Sequence, residues 1–235
     1  MKYKALSFSL AGRSKPNEDS TLIKVLGDSA IVLGVADGMG GKPGGAIASK
    51  TALELISTLV GDESAVSIEK LFQEVRNALK VKSAETEAFQ DMATTLSIVL
   101  VRDKLAVVGH VGDCRVYHLR SSGLISRTKD QTEVQRLLDD GILSKQRAQE
   151  YRRKNILLSV MNAEDTYDLQ TNEFEVEPGD RLLLLTDGAY SLIQKKEIRD
   201  ISINSSTIEI FLSEIQKKIE SGKIRDDYSV IACEI

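Results

Sequence analysis

Three apolar runs in this chain stop on an aspartate. Ile31-Val32-Leu33-Gly34-Val35-Ala36 ends at Asp37, Leu105 to Val111 leads through Gly112 to Asp113, and Leu182 to Thr186 ends at Asp187. Runs of this length read as strands, so each carboxylate is delivered to the rim of a sheet. Gly38, Gly112 and Gly188 stand beside these aspartates, where a missing Cβ lets backbone and ligand approach closely. Asn17-Glu18-Asp19 and Asp226-Asp227 complete a fixed order of five acidic motifs. Each alone is an ordinary turn. Several converging on one rim would repel one another unless a cation sat among them.

Strands are predicted at about 3–10, 21–26, 30–36, 94–102, 105–111, 115–119, 168–175, 181–186 and 228–234. Two helices separate the third and fourth of these. One covers about 46–60 after a glycine-rich turn; the other begins near Ile68, with Leu71, Phe72, Val75 and Leu79 at helical spacing. A late helix opens with Ser206-Thr207-Ile208-Glu209, a capping-box pattern, and repeats Ile208, Phe211, Leu212, Ile215 and Ile219 on one face. Strands in runs with helices inserted between them argue for an α+β layered sandwich over a βαβ parallel sheet.

No repeat or linker divides the 235 residues, so one domain spanning 1–235 is expected. The polar, basic stretch at about 131–166 reads as short helices on a surface excursion, a flap. Thirty-five acidic against 31 basic residues give a net charge of −4, which does not favour nucleic acid as a partner. The longest apolar runs fall far short of a membrane span. Lys2 and Lys4 precede a short apolar stretch, but Ser7 and Ser9 interrupt it, which makes a strand and a poor signal peptide. Cys114 and Cys233 make no disulfide framework, and a reducing cytoplasm is the expected setting.

In Asp37-Gly38-Met39-Gly40-Gly41 the plain reading is a tight strand-to-helix turn. The functional reading makes Asp37 a carboxylate bridging two metal ions, with the Gly38 carbonyl as another oxygen ligand and Gly40, Gly41, Gly44 and Gly45 keeping the mouth open. Asp187 and Asp226 add the carboxylates that two divalent cations need, with water filling the rest. The two histidines, His110 and His118, sit in strand-like segments and read as structural. Without a His or Cys cluster, Mg²⁺ or Mn²⁺ fits better than zinc. Arg13 stands just before Asn17-Glu18-Asp19; it makes either a surface salt bridge or, with its planar fork, a grip on phosphate. Asp19 would then orient a bound water near the metals, with Glu18 beside it.

These motifs, in this order, resemble the metal-dependent protein phosphatases, the type 2C serine/threonine family, in its compact bacterial form. The resemblance runs from Arg13 to Ser229. It includes Ala93-Thr94-Thr95, Val111 to Tyr117, Pro178-Gly179-Asp180 before the strand ending in Asp187-Gly188, and Asp226 to Ile231. It implies a four-layer α-β-β-α sandwich of two antiparallel sheets flanked by helices. It also implies hydrolysis of phosphoserine and phosphothreonine by a water shared between two ions of Mn²⁺ or Mg²⁺, with a weaker third ion. Asp37 would bridge the ions, Gly38 would give its carbonyl, Asp187 and Asp226 would complete the pair, and Asp19 would contact the site through water. Asp113 would hold the third ion with Asp187, and Arg13 would bind the phosphate. The expected partners are phosphorylated proteins, substrates of a serine/threonine kinase, met by a monomer without nucleic acid or membrane.

The chain departs from the family pattern in places. Arg13 lies five residues before Glu18 where many members have four, with Pro16 between. Met39 replaces a histidine offered elsewhere as general acid, Cys114 stands where Ser is common, and Asp227 where Asn is common. Ser191 falls where some members place another third-metal aspartate. Two rival readings remain at this stage. Cys114 and Arg120 have the Cys-x5-Arg spacing of cysteine-dependent phosphatases, although Val116, Tyr117, His118 and Leu119 are strand residues and not a phosphate loop. The other rival is an inactive phosphatase-like docking module, which should have lost metal carboxylates.

Overall fold

Both faces of the strand leading to Asp37 are buried, and this fixes the layering. Ile31, Leu33 and Val35 join one core cluster, while Val32 and Ala36 join another. A strand apolar on both faces lies inside a stack. The computed structural model describes residues 2–12, 16–39, 44–61, 67–164 and 166–235. Its first elements are β1 (Lys4–Leu10), β2 (Asp19–Leu26), β3 (Ala30–Met39), α1 (Gly44–Leu59), α2 (Ile68–Ser83), β4 (Ala93–Thr94), β5 (Leu96–Arg102) and β6 (Leu105–Val111). Then come β7 (Arg115–Arg120), β8 (Gly123–Ser126), α3 (Glu133–Asp139), α4 (Lys145–Gln149) and β9 (Gln170–Glu175). The last are β10 (Arg181–Leu185), α5 (Asp187–Tyr190), α6 (Lys195–Asn204), α7 (Ile208–Glu220) and β11 (Tyr228–Glu234).

Two antiparallel sheets result. One has the order β1-β11-β10-β7-β8, the other β2-β3-β5-β6-β9 with β4 paired to β3. Val99, Val108, Val116, Leu182, Leu184 and Ile231 fill the space between them. Leu71, Phe72 and Val75 of α2 cover the outer face of the second sheet together with α1. Phe211, Ile215 and Ile219 of α7 cover the first. Each such side chain, fully buried, contributes about 1.5–3 kcal/mol of apolar burial. This is the expected α+β sandwich: helices, sheet, sheet, helices.

The predicted strands recur with small shifts, and a few assignments change. The strand expected at 94–102 breaks at Thr95, which turns its N–H (2.8 Å to the Asp37 carbonyl) and its hydroxyl (2.9 Å from the Asp37 N–H) toward β3. The cap of α7 is Thr207 and not Ser206, the Thr207 side chain accepting from the Ile210 N–H at 3.3 Å. The pattern missed β8, α5 and α6. Both histidines are structural: buried His110 bonds Ser97 Oγ at 2.7 Å, and buried His118 bonds Asp180 Oδ2 at 2.8 Å. Among the described residues no helix is long and apolar enough to cross a membrane.

Strand register brings the five motifs to one end of the sandwich. Asp19 and Asp37 are partners across β2 and β3. Leu96, where β5 begins, faces Val111, where β6 ends. Leu185 faces Arg115 on one side and Val230 on the other, and Leu10 faces Tyr228. Gly112-Asp113-Cys114 is the crossing from the second sheet to the first, so Asp113 lies between the layers. Gly112 has φ +109°, and a Cβ there would press on the Thr95 side chain at 2.6 Å.

Candidate metal centre

Each carboxylate on this rim is held by a different local device. The backbone of Asp37 is pinned by Thr94 and Thr95: Thr94 Oγ1 donates to the Asp37 carbonyl at 3.0 Å, alongside the two Thr95 bonds. That leaves the Asp37 side chain to face the rim. Thr186, the last residue before α5, donates its hydroxyl to Asp19 Oδ2 at 2.7 Å and accepts the Ser229 N–H at 2.9 Å. Asp187 opens α5, where the exposed N–H groups of a first turn favour a carboxylate. Asp226 lies in a loop gripped from two sides by bare backbone. A Cβ on Gly12 would overlap the Asp226 carbonyl group, and one on Gly188 would overlap the Asp227 carbonyl oxygen.

Asp227 has its own task. Its two carboxylate oxygens accept the N–H groups of Gly12 and Glu18, each at 2.7 Å. One side chain so ties together both flanks of the segment that carries Arg13. Arg13 itself lies outside the described residues, as do Gly40 and Gly41. Gly44 and Gly45 do not open a mouth; they begin α1. A Cβ on Gly45 would press on the Glu18 carboxylate at 2.7 Å and the Met39 carbonyl at 2.9 Å. Their bareness serves close packing of helix on strand.

The electrostatics follow from crowding. Burial first, then the charges of Asp19, Asp187 and Asp113, push the Asp37 carboxyl well above its usual range. Burial and then Asp226 raise Asp187. Asp37 and Asp187 lie close enough to act on each other, and burial is the first cause of the rise in both. Asp19 is raised to about 7 by burial, against the lowering effect of the Ser229 and Thr186 hydroxyls. Asp113 is raised to about 7 by burial and then by Asp187. Asp19 Oδ1 and Asp187 Oδ1 are buried without a hydrogen-bond partner. Such orphaned acceptors are costly, and bound cations would satisfy them. Among the described residues no three His, Cys, Asp or Glu side chains close tightly enough to cage an ion unaided. An ion held on this rim would need water, or a backbone carbonyl, beside the carboxylates, and Mg²⁺ characteristically keeps several waters.

Other features stand apart from the rim chemistry. Cys114 is fully buried beside Thr95 Oγ1 at 3.2 Å, and burial pushes its thiol well up. Arg120 is bound through Nε and Nη2 to Asp180 at 2.8 and 2.7 Å, so no anion loop joins it to Cys114. A hollow of about 570 Å³ lined by Leu100, Arg102, Leu105 and Val107 lies at the other end of β5 and β6. The bracing contacts of Thr95, Thr186, Tyr190 and Asp227 go beyond what the sequence predicts. Only the Thr immediately before Asp187 was a usable signal.

Solved protein phosphatases share this architecture. Over the whole chain the fold matches the crystal structure of the serine/threonine phosphatase Stp1 from Staphylococcus aureus with a TM-score of 0.91, covering 96% of that chain at 23% identity. It also matches the catalytic domain of the serine/threonine protein phosphatase PstP in complex with two manganese ions, with a TM-score of 0.83 at 26% identity, covering 99% of this chain and 97% of that one. The serine/threonine phosphatase stp of Listeria monocytogenes is 30% identical over 226 residues, 93% of this chain and 90% of that protein. The protein phosphatase 2C profile matches residues 9–220. The chain belongs to the protein phosphatase 2C family.

Proposed function

We propose that this chain removes phosphate from phosphoserine and phosphothreonine in protein substrates, with two divalent cations, Mn²⁺ or Mg²⁺, at the carboxylate rim. The observation that carries this reading is the pair of buried, unpartnered oxygens, Asp19 Oδ1 and Asp187 Oδ1, in a cluster whose members raise one another's pKa. Asp37 would bridge the two ions, Gly38 would lend its carbonyl, and Asp187 and Asp226 would complete the pair. Asp113 and Asp187 would take a weaker third ion. An all-oxygen donor set suits hard cations. When bound, such ions supply a water acidic enough to attack at neutral pH and offset charge on the phosphoryl group.

The chain's own residues set the geometry. Thr186 occupies one oxygen of Asp19 and leaves the other to orient a water. Asp227 holds the flanks of the segment in which Arg13 is expected to grip the phosphate. No protein nucleophile is needed, and the buried, protonated thiol of Cys114 offers none. Met39 has no proton to give, so the leaving seryl or threonyl oxygen takes one from solvent. An inactive docking module has no observation in its favour, because every carboxylate of the main pair is kept. The chain would act as a monomer in the cytoplasm, opposite a serine/threonine kinase.

The test is hydrolysis of a chromogenic phosphate ester with Mn²⁺ added and then withdrawn. Activity should appear with the ion, vanish in EDTA, and survive Cys114→Ser. Turnover that persists in EDTA would overturn the reading.

Residues at about 131–166 act in this reading as a flap of a single domain. Arg136, Arg147, Arg152, Arg153 and Lys154 would meet acidic residues around the phosphoserine; Arg153 Nε already lies 2.8 Å from Glu133 Oε2. Charge reversal at Arg152 and Arg153 should slow phosphoprotein turnover about two- to fivefold, the scale of exposed ion pairs worth roughly 0.5–1 kcal/mol. The small ester should be unaffected, and equal effects on both would refute the flap's role.

A further inference from the structure

Asp113 is braced by a chain of contacts that the metal reading does not by itself require. Tyr190 Oη donates to Asp113 Oδ2 at 2.9 Å. Tyr190 closes the single turn of α5 that Asp187 opens, so one short helix carries both a carboxylate of the rim and the donor to its neighbour. The Tyr190 ring is in turn covered by Arg115, whose guanidinium carbon lies 3.6 Å from the ring centroid. Arg115 is not free to move. Its Nε and Nη2 bind the two oxygens of Asp130 at 3.0 and 2.6 Å, a bidentate geometry of the strong, orientation-specific kind.

The residue after Asp130 closes the frame from the backbone side. Gln131 donates its N–H to the Gly112 carbonyl at 2.8 Å, and its side-chain oxygen accepts the Gly112 N–H at 2.8 Å. Asp113 is therefore fixed twice to residues 130–131: through its own side chain by way of Tyr190 and Arg115, and through the main chain of Gly112. Tyr190 occupies Oδ2, so Oδ1 would be the oxygen left for an ion shared with Asp187. A phenol is protonated at neutral pH, and it remains a donor throughout the working range.

We propose that Tyr190 is a positioning residue: it holds the Asp113 carboxylate in the orientation that lets Asp113 and Asp187 share a weakly bound divalent cation. This rests on the metal reading of the preceding subsection. Outer-layer partners that orient a ligand typically change metal affinity by about 10–100-fold when removed. Tyr190→Phe keeps the ring under Arg115 and deletes only the hydroxyl.

The experiment is a Mn²⁺ titration of the full chain, stripped of metal, with free Mn²⁺ read by electron paramagnetic resonance. Wild type should bind two ions tightly and one weakly, and Asp113→Ala should lose the weak one. Tyr190→Phe should weaken the weak ion roughly tenfold and leave the tight pair and the thermal midpoint unchanged. Asp130→Asn, which loosens the far end of the brace, should act in the same direction by a smaller factor. An unchanged weak ion in Tyr190→Phe, or a wild type without one, overturns the proposal while leaving the two-ion reading in place. Equal loss of all ions with a lowered midpoint reduces Tyr190 to a structural role and also overturns it. A wild type that binds no Mn²⁺ removes the metal reading itself.

Discussion

Asp37→Asn is expected to abolish turnover at saturating Mn²⁺ while raising the thermal midpoint of the metal-free protein. The two effects come from one charge. Asp37 is pinned by its backbone through Thr94 and Thr95, so the amide fits where the carboxylate did and the strand is undisturbed. What changes is the crowd of carboxylates, since Asp19, Asp187 and Asp113 each push Asp37 upward. Removing one member relieves repulsion without metal and removes the carboxylate proposed to bridge the two ions. Charge stabilisation by bound cations is worth several kcal/mol, and about 1.4 kcal/mol is tenfold in rate, so a loss of roughly a thousandfold or more is expected. Asp187→Asn should behave likewise. Near-native rates at saturating Mn²⁺ would sink the assignment, whereas inactivity with a fallen midpoint would mean the variant had merely unfolded.

The second large effect is an inverted pH dependence of stability when metal is withheld. Asp19 and Asp113 are raised to about 7 by burial before any charge acts on them. In the unfolded chain the same groups titrate near about 4. Between these values the folded protein keeps protons that the unfolded chain has released, so stability falls as pH rises. The penalty is absent below about pH 4 and complete once pH has passed about 7. In EDTA the midpoint should therefore fall steadily from pH 5 to pH 8. In the proposed centre Mn²⁺ would take the place of those protons: an ion at a hundred times its dissociation constant adds about 2.7 kcal/mol, or roughly 5–10 °C for a domain of this size. A flat or rising midpoint in EDTA, or no response to Mn²⁺, would show that the carboxylates do not crowd as described.

What could be read from the sequence was whatever a short window determines. The runs at Leu105–Val111 and Tyr228–Glu234 alternate or stay apolar throughout, and both are strands within those bounds. β8 escaped because four residues with one exposed isoleucine, Ile125, carry no period. α6 escaped because Ile198 is its one buried residue, so no stripe forms; its start is set by the Gln194–Glu197 capping box. α1 begins two residues earlier than its apolar pattern, because Gly44 and Gly45 are chosen for what lies against them and not for helix propensity. The carboxylates were visible since each ends a strand or flanks one. Their supports were not: Thr186 reaches Asp19 across 167 residues and Asp227 reaches Gly12 across 215. No window contains such a pair.

The strand order carries a consequence for birth on the ribosome. β11 follows every other strand in the chain, yet it lies between β1 and β10. The first strand therefore waits beside an empty slot, unable to complete its ladder, until the polypeptide some two hundred residues downstream has emerged. At typical elongation rates that delay lasts roughly ten to forty seconds. Because the aspartate loop entering β11 lies at the same end as the other carboxylates, the proposed centre stays incomplete, and activity toward nearby proteins is not expected, until β11 has been translated.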